Sequence, residues 1–343
     1  MTRERPAAKS HGVAVKPGLY HEAVMVPEVV DLLAPSAPGV IVDATVGAGG
    51  HAAALLEASS SRVLVGIDRD EAAVREAKAR LARFGDRAVV AHGRFDELVG
   101  LVGELRPGRP VTAILFDLGV SSHQFDEASR GFSYRYDAPL DMRMDRSRGP
   151  TAADILNRWP EDELCRLFSA NGEQRFAARI ARRVVANRPI TSTGQLSELV
   201  RGALPAAGRR RGGHPAKRVF QAVRLAVNEE LELLVAGLDQ ALRLIAPGGR
   251  IAVLSYHSGE DRIVKGAFAM GASGWCECPA GLPCVCGAVP ALRLIHRGAR
   301  KAGEAEIATN PRAASARLRA VERTDAVLRR PAGSRGGAPR GDS

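Results

Sequence analysis

No apolar run in this sequence reaches the ~18 residues that a membrane-spanning helix needs. The stretch from Met1 to Lys16 is charged and lacks the apolar centre of a secretory signal. Both absences point to a cytoplasmic protein. Cysteine is scarce, at five residues. Cys165 stands alone and reads as a small buried hydrophobe. The other four form Cys276-Glu-Cys278 and Cys284-Val-Cys286, so the usual Cys-x2-Cys zinc knuckle is missing. In a reducing compartment, paired cysteines favour a metal over a disulfide. Cys276, Cys278, Cys284 and Cys286 are therefore candidate metal ligands; the alternative is four thiols in a Pro/Gly-rich surface loop.

Hydrophobic residues make up 45% of the chain, enough for a real core. A length of 343 residues allows one large domain or two of ordinary size. The net charge is +11, with Arg dominating the cations. That excess is either a solvated basic surface or the mark of a polyanionic partner, most simply nucleic acid.

The chain is organised around Val40-Ile-Val-Asp-Ala-Thr-Val-Gly-Ala-Gly-Gly-His51. Val40 to Val42 are β-branched and read as a short buried strand. Asp43 ends it, Gly47, Gly49 and Gly50 permit a tight turn against a ligand, and a helix follows over Ala52 to Ala58. A second strand, Arg62 to Asp68, ends in an acid 19 residues after Gly49. That is where a carboxylate meets ribose hydroxyls in a nucleotide-binding βαβ unit. An ordinary turn with a surface Asp is the plain alternative. Ala52 fits the third small position of a dinucleotide fingerprint, but Asp43 would repel a pyrophosphate. An acid there suits a ligand with an amino group and a sulfonium, and the loop resembles motif I of S-adenosylmethionine-dependent methyltransferases.

Further along, Asp70 is placed to cap a helix running to about Phe84. A third strand spans Ala88 to Phe95, and Phe95 is either a base-stacking ring or a core residue. The fourth strand, Val111 to Asp117, puts Asp117 at its carboxyl end, where open α/β sheets bind ligands. The loop after it lacks the paired prolines of most amine methyltransferases. Residues 146 to 235 interrupt the alternation with helices over 160–170, 173–186, 193–204 and 215–235. A helix over 238–245, a strand over 250–255 and a short strand over 292–295 return to the sheet. The expected organisation is a disordered tail (1–18), a discontinuous α/β domain (19–145 and 236–310), an inserted all-α domain (146–235) and a basic, partly disordered tail (311–343).

Asp117-Leu-Gly-Val-Ser-Ser-His-Gln124, Arg130-Gly-Phe-Ser133 and Pro139-Leu-Asp-Met-Arg-Met-Asp145 closely resemble one family. So do His214-Pro-Ala-x-Arg218, Ser255-x-His257-Ser-x-Glu-Asp261 and Asn310-Pro-Arg312. That family is the ribosomal RNA small-subunit methyltransferase H group, also called MraW. The resemblance runs from about His21 to Arg323, departing at His123, where Pro is usual, and Gly259, where Leu is usual. It implies a Rossmann-like α/β methyltransferase sheet with an inserted all-α domain. It also implies S-adenosyl-L-methionine as cofactor and cytosine N4 of 16S rRNA, within the small ribosomal subunit, as substrate. By the same resemblance Gly49, Gly50 and His51 hold the methionine end, Asp68 the ribose and Phe95 the adenine, while Asp117 and Gln124 close the site. Asp117, His257 and Asp261 are candidates for orienting the target amine.

Two regions are candidates for RNA contact. Arg130, Phe132, Tyr134, Arg135 and Tyr136 mix cations with aromatics, which suits unpaired RNA. Lys217, Gln221, Arg224 and Asn228 share one face of a helix. The plain alternatives are a packed loop and an internally bonded helix surface. A nicotinamide oxidoreductase and a non-catalytic RNA-binding assembly factor are the rival functions.

Overall fold

The computed structural model describes residues 23–120, 124–125, 127–205, 216–279 and 282–327. The expected N-terminal tail, His214 and His123 lie outside these residues. The α/β half contains α1 (Val26–Leu33), β1 (Val40–Asp43), α2 (Gly50–Glu57), β2 (Val63–Asp68), α3 (Glu71–Leu81), β3 (Ala88–His92), α4 (Leu98–Leu105) and β4 (Val111–Asp117). A helical stretch follows: α5 (Ala152–Arg158), α6 (Glu161–Phe168), α7 (Ala177–Ala186), α8 (Thr193–Ala203) and α9 (Lys217–Asn228). The chain then returns through α10 (Glu230–Leu244), β5 (Ile245–Ser255), α11 (Ser258–Ala272), β6 (Leu292–Leu294), α12 (Glu304–Thr309) and β7 (Arg317–Arg323).

The strands form one sheet in the order β3-β2-β1-β4-β5-β7-β6. The first five are mutually parallel, and β7 lies antiparallel between β5 and β6. The expected Rossmann-like α/β class is therefore what the chain adopts. Strand alternation divides the apolar side chains between two faces. Ile41, Leu64, Leu115 and Leu254 pack beneath α1, α2 and α3. Val42, Ile67, Phe116 and Val253 pack beneath α4, α10 and α11. Both faces are covered, which is why these strands read as continuous apolar runs rather than alternating ones. No helix among the described residues is long and apolar enough to cross a membrane.

A separate core gathers Ile155, Phe168, Ile180, Leu196 and Phe220 from α5 to α9. It already includes Phe132, Leu140, Met142 and Met144, so this packing begins before residue 146. Its far edge falls at Glu229, which takes a left-handed conformation (φ 49°) and breaks the single helix expected over 215–235 into α9 and α10. From Leu234 onward α10 packs on the sheet instead.

The end of the chain corrects a larger expectation. Residues 317–323 lie inside the stretch read as a basic tail, yet they form β7 within the sheet. Leu318, Ala320, Val321 and Arg323 are buried there, Arg319 and Glu322 are partly buried, and Arg317 is exposed. Arg319 forms a two-point ion pair with Asp261 of α11 (2.7 and 3.1 Å). Of the three β7 arginines that made the segment look like a solvated tail, Arg317 is exposed, Arg319 is paired with Asp261 and Arg323 is buried, donating to the Ala291 carbonyl.

The face proposed for RNA on α9 is also corrected. Asn228 is buried; its Oδ1 accepts from the Met144 N–H (2.8 Å) and its Nδ2 donates to the Met142 carbonyl (2.8 Å). Arg224 forms a two-point pair with Glu230 (2.8 and 3.0 Å), both side chains nearly buried. Lys217 alone of the four is fully exposed. We expect Asn228→Ala to cost about 2–3 kcal/mol, because it strands a buried N–H and a buried carbonyl. Chemical denaturation measures this, and a cost below about 0.5 kcal/mol, typical of a surface site, would contradict the assignment.

Candidate cofactor and active site

Parallel strands β1, β2 and β4 end in Asp43, Asp68 and Asp117. Strand order reverses between β1 and β4, which opens a crevice at their carboxyl ends. The turn from β1 to α2 crosses this crevice with Gly47 (φ 51°) and Gly49 (φ 79°) in the left-handed region, where a side chain is strained. Gly50 packs against Ala23, so a Cβ there would lie 2.9 Å from the Ala23 Cβ. Glycine at these positions is a steric demand of the turn.

Asp68 is tied to that turn. Its Oδ2 accepts from the Gly47 N–H and its Oδ1 from the Asp70 N–H, both at 2.9 Å. Burial raises its pKa, and the two N–H groups oppose that rise. Asp43 is buried, with one N–H contact from Thr45 at 3.3 Å. Burial pushes its carboxyl up to about 7, against the pull of His51.

Asp117 has three neighbours that fix it. Its own N–H donates to Thr45 Oγ1 (2.6 Å), and Tyr256 donates its hydroxyl to Oδ1 (2.7 Å). His51 Nδ1 lies 3.5 Å from Oδ2. The carboxylate nevertheless keeps 24% of its surface exposed. Burial raises the Asp117 pKa, while His51 and Tyr256 pull it down. His51 Nε2 is 2.9 Å from the Val24 carbonyl, which can only accept, so that nitrogen carries a hydrogen. The other ring nitrogen, Nδ1, faces Asp117. Burial and the Asp117 charge hold the Tyr256 hydroxyl well above its ordinary pKa, so it remains a donor.

The donor chemistry suits a zwitterionic, cationic ligand. Among the described residues no Lys or Arg ion-pairs with Asp43, Asp68 or Asp117, so three acids converge without a fixed cation. The first turn of α2 has no side-chain cap, which leaves its N–H groups for a carboxylate. An ammonium and a sulfonium would meet the acids, and an amino acid carboxylate the helix end. S-adenosylmethionine carries those three groups.

The other expected residues divide. Gln124 donates from Nε2 to Asp70 Oδ2 (2.8 Å), and so closes the loop onto the α3 cap rather than pointing at the acids. Phe95 is half-buried, edge-on to Phe116 (5.8 Å between centroids) and pressed against Gly237 of α10. Its ring is shared between core and rim. His257 caps α11: its Nδ1 accepts from the Gly259 and Glu260 N–H groups (3.2 and 3.4 Å). Its Nε2 lies 3.1 Å from Glu260 Oε1, off the line of a hydrogen bond. Asp261 is taken by Arg319, which holds its carboxyl below the ordinary range. Asp117 alone of the three candidates stands at the strand ends with an open edge.

The loop expected to contact RNA is similarly internal, apart from two residues. Arg130 is buried and donates to Asp70 Oδ2 (2.9 Å) and to the Arg143 and Met144 carbonyls (3.0 Å each). Phe132 is buried, and Tyr134 lies edge-on to Phe220 at 5.8 Å. Arg135 and Tyr136 are exposed. Sequence reasoning missed Thr45 and Tyr256. Tyr256 carried a usable signal, since it directly follows β5, the strand paired with β4 and hence beside Asp117.

We expect Asp43→Asn to stabilise the ligand-free protein and weaken cofactor binding together. The raised Asp43 pKa means that the folded state holds its proton more tightly than the unfolded state. Its penalty therefore grows as pH rises from about 4 to about 7 and is constant above that. The stability advantage of Asp43→Asn should rise over the same window, to about 2–4 kcal/mol. Cofactor affinity should fall by about 1.5–3 kcal/mol. Thermal melts across pH and calorimetry measure the two effects; a pH-independent stability difference with unchanged affinity would contradict this.

Comparison with known proteins shows the family. A family model described as the MraW methylase family matches residues 18–324. Three similar proteins are each named Ribosomal RNA small subunit methyltransferase H. The one from Thermobifida fusca is 52% identical, covering 94% of this chain and 99% of its own. That from Symbiobacterium thermophilum is 49% identical, covering 90% and 98%. That from Acidothermus cellulolyticus is 52% identical, covering 91% and 96%. With its sheet order, its glycine turn and its strand-end acids, this chain belongs to the MraW methylase family of S-adenosylmethionine-dependent methyltransferases.

Proposed function

We propose that this chain transfers a methyl group from S-adenosylmethionine to N4 of a cytidine in 16S rRNA, acting in the cytoplasm on RNA within the small ribosomal subunit. The observation that carries the reading is the open carboxylate of Asp117, held by three neighbours at the end of β4 beside the glycine turn. The cofactor supplies an activated methyl on a sulfonium. The residues position and neutralise. Asp43 and the first turn of α2 take the methionine end, and Asp68 takes the ribose.

Cytosine N4 is a weak nucleophile, because its lone pair is delocalised into the ring. Asp117 accepts a hydrogen bond from the amine and favours the reactive geometry. As the N–C bond forms, the amine proton becomes acidic and passes to Asp117. His51, backed by the Val24 carbonyl, and the Tyr256 hydroxyl steady the carboxylate through that change. The target base has to leave its stack to reach this point. The RNA side is supported by the exposed cations Arg175, Arg179 and Arg182 on and just before α7, by Lys217 at the start of α9, and by Arg135 and Tyr136. These replace the Arg224 and Asn228 face.

The test is mass mapping of 16S rRNA from cells lacking this protein, with restoration by the parent chain. One cytidine should lose a single methyl on N4 and regain it. Tyr256→Phe should restore it more slowly, with kcat lowered about ten- to a hundredfold and cofactor Kd little changed. An unaltered methylation map would remove the rRNA reading. An unchanged kcat in Tyr256→Phe would remove Asp117 from the chemistry but leave the substrate standing.

A further inference from the structure

We propose that Cys276, Cys278, Cys284 and Cys286 bind one zinc ion that staples the long connection between α11 and β6. The four Sγ atoms all lie within 4.8 Å of one another. Cys276 and Cys284 are 3.5 Å apart, Cys284 and Cys286 3.4 Å, and Cys286 and Cys276 3.5 Å. A zinc ion with thiolates at about 2.3 Å makes a tetrahedron whose edges are about 3.8 Å. The mutual spacing is thus close to that of four ligands about one ion. It does not resolve into two separate pairs, as two disulfides would.

The surroundings give no other reason for the sulfurs to meet. Residues 273 to 291 contain no helix or strand among those described. Leu282, Val285 and Val289 are 66%, 88% and 62% exposed, so the segment builds no apolar core of its own. Cys284 and Cys286 are themselves exposed. Hydrophobic burial therefore cannot gather the thiols. The Val285 N–H lies 3.5 Å from Cys278 Sγ and donates toward it, as backbone amides do around metal-bound thiolates. Four soft sulfur donors in a tetrahedral set select zinc or iron, and the sulfurs stand too close together to surround an iron–sulfur cage.

The position indicates what the ion does. α11 starts where β5 delivers the chain beside Asp117, and it runs 15 residues, about 22 Å, before the cysteines begin. The cluster sits beyond the far end of that helix, remote from the strand-end acids. The fixed ends of the segment are the bonds from the Ala291 N–H to the Gly271 carbonyl and from the Thr324 N–H to the Ala291 carbonyl, both 3.0 Å. A metal between these ends would hold the loop in register with β6 and β7 and take no part in methyl transfer.

The test uses the full chain purified without added zinc or chelator. Elemental analysis should find about one zinc per chain, released when a mercurial reagent titrates the four thiols. Replacement with cobalt(II) should give the intense red-region absorption of a tetrahedral four-thiolate site. Cys278→Ser and Cys284→Ser should each lose the metal and lower the thermal midpoint by several degrees, while cofactor Kd stays within about twofold. Because a variant can fail for other reasons, the reduced, metal-free parent is also titrated with zinc alone. Failure to bind there, two disulfides in the purified protein, iron in place of zinc, or equal zinc binding by Cys278→Ser would each overturn the proposal.

Discussion

Three carboxylates converge at the ends of adjacent parallel strands, and among the described residues no Lys or Arg is paired with them. That arrangement is the constraint around which the rest is built. Burying acids without a cation is costly, and burial raises the pKa of all three. The cost persists because the surroundings fix the acids from several sides: backbone N–H groups on Asp68, the Tyr256 hydroxyl and Thr45 on Asp117, and His51 between Val24 and Asp117. A cationic cofactor would relieve in one step what the folded chain holds unrelieved. The same feature that makes the ligand-free site unfavourable makes it selective for a sulfonium over a pyrophosphate.

The helical core is fastened to this site through polar bonds at its inner rim. Asp70 caps α3 and also receives Gln124 and Arg130, whose hydrogen bonds outweigh the effect of burial and keep its carboxyl below the usual range. Arg69, next to Asp68, donates to the Asn228 carbonyl at the end of α9 (2.8 Å). Asn228 in turn pins Met142 and Met144. Two neighbours of Asp68 thus grip the loop and the helix that lead into the second core. Residues that resembled an RNA surface are the joints of that connection.

Much of the site was legible because strand, acid and glycine occur in one continuous stretch. Asp43, Asp68 and Asp117 each follow a β-branched or apolar run, and each is found at a strand's carboxyl end. The misreadings have a common cause: arginine was taken as a surface residue. Arg130, Arg224 and Arg319 all make two-point or multiple bonds inside the protein, and each depends on a partner distant in sequence or across a helix break. β7 was hidden for the same reason, since Arg317, Arg319, Glu322 and Arg323 give it the charges of a tail. Tyr256 was missed because a lone tyrosine after a strand has no pattern; only the pairing of β5 with β4 brings it to Asp117. Glu229 could not be foreseen as a helix break, because nothing in its local composition requires a left-handed residue.

The central claim is that buried acids, with Asp43 raised to about 7, await a cationic ligand. Proton release on binding tests it most directly. S-adenosylmethionine is titrated calorimetrically at a pH just below 7 in buffers of different ionisation enthalpy. The account predicts a net release of about half to one proton per cofactor bound, as Asp43 gives up its proton to the incoming charge. Release should vanish well above pH 7, where the acid is already ionised. Binding with no proton released on either side of pH 7 would contradict it.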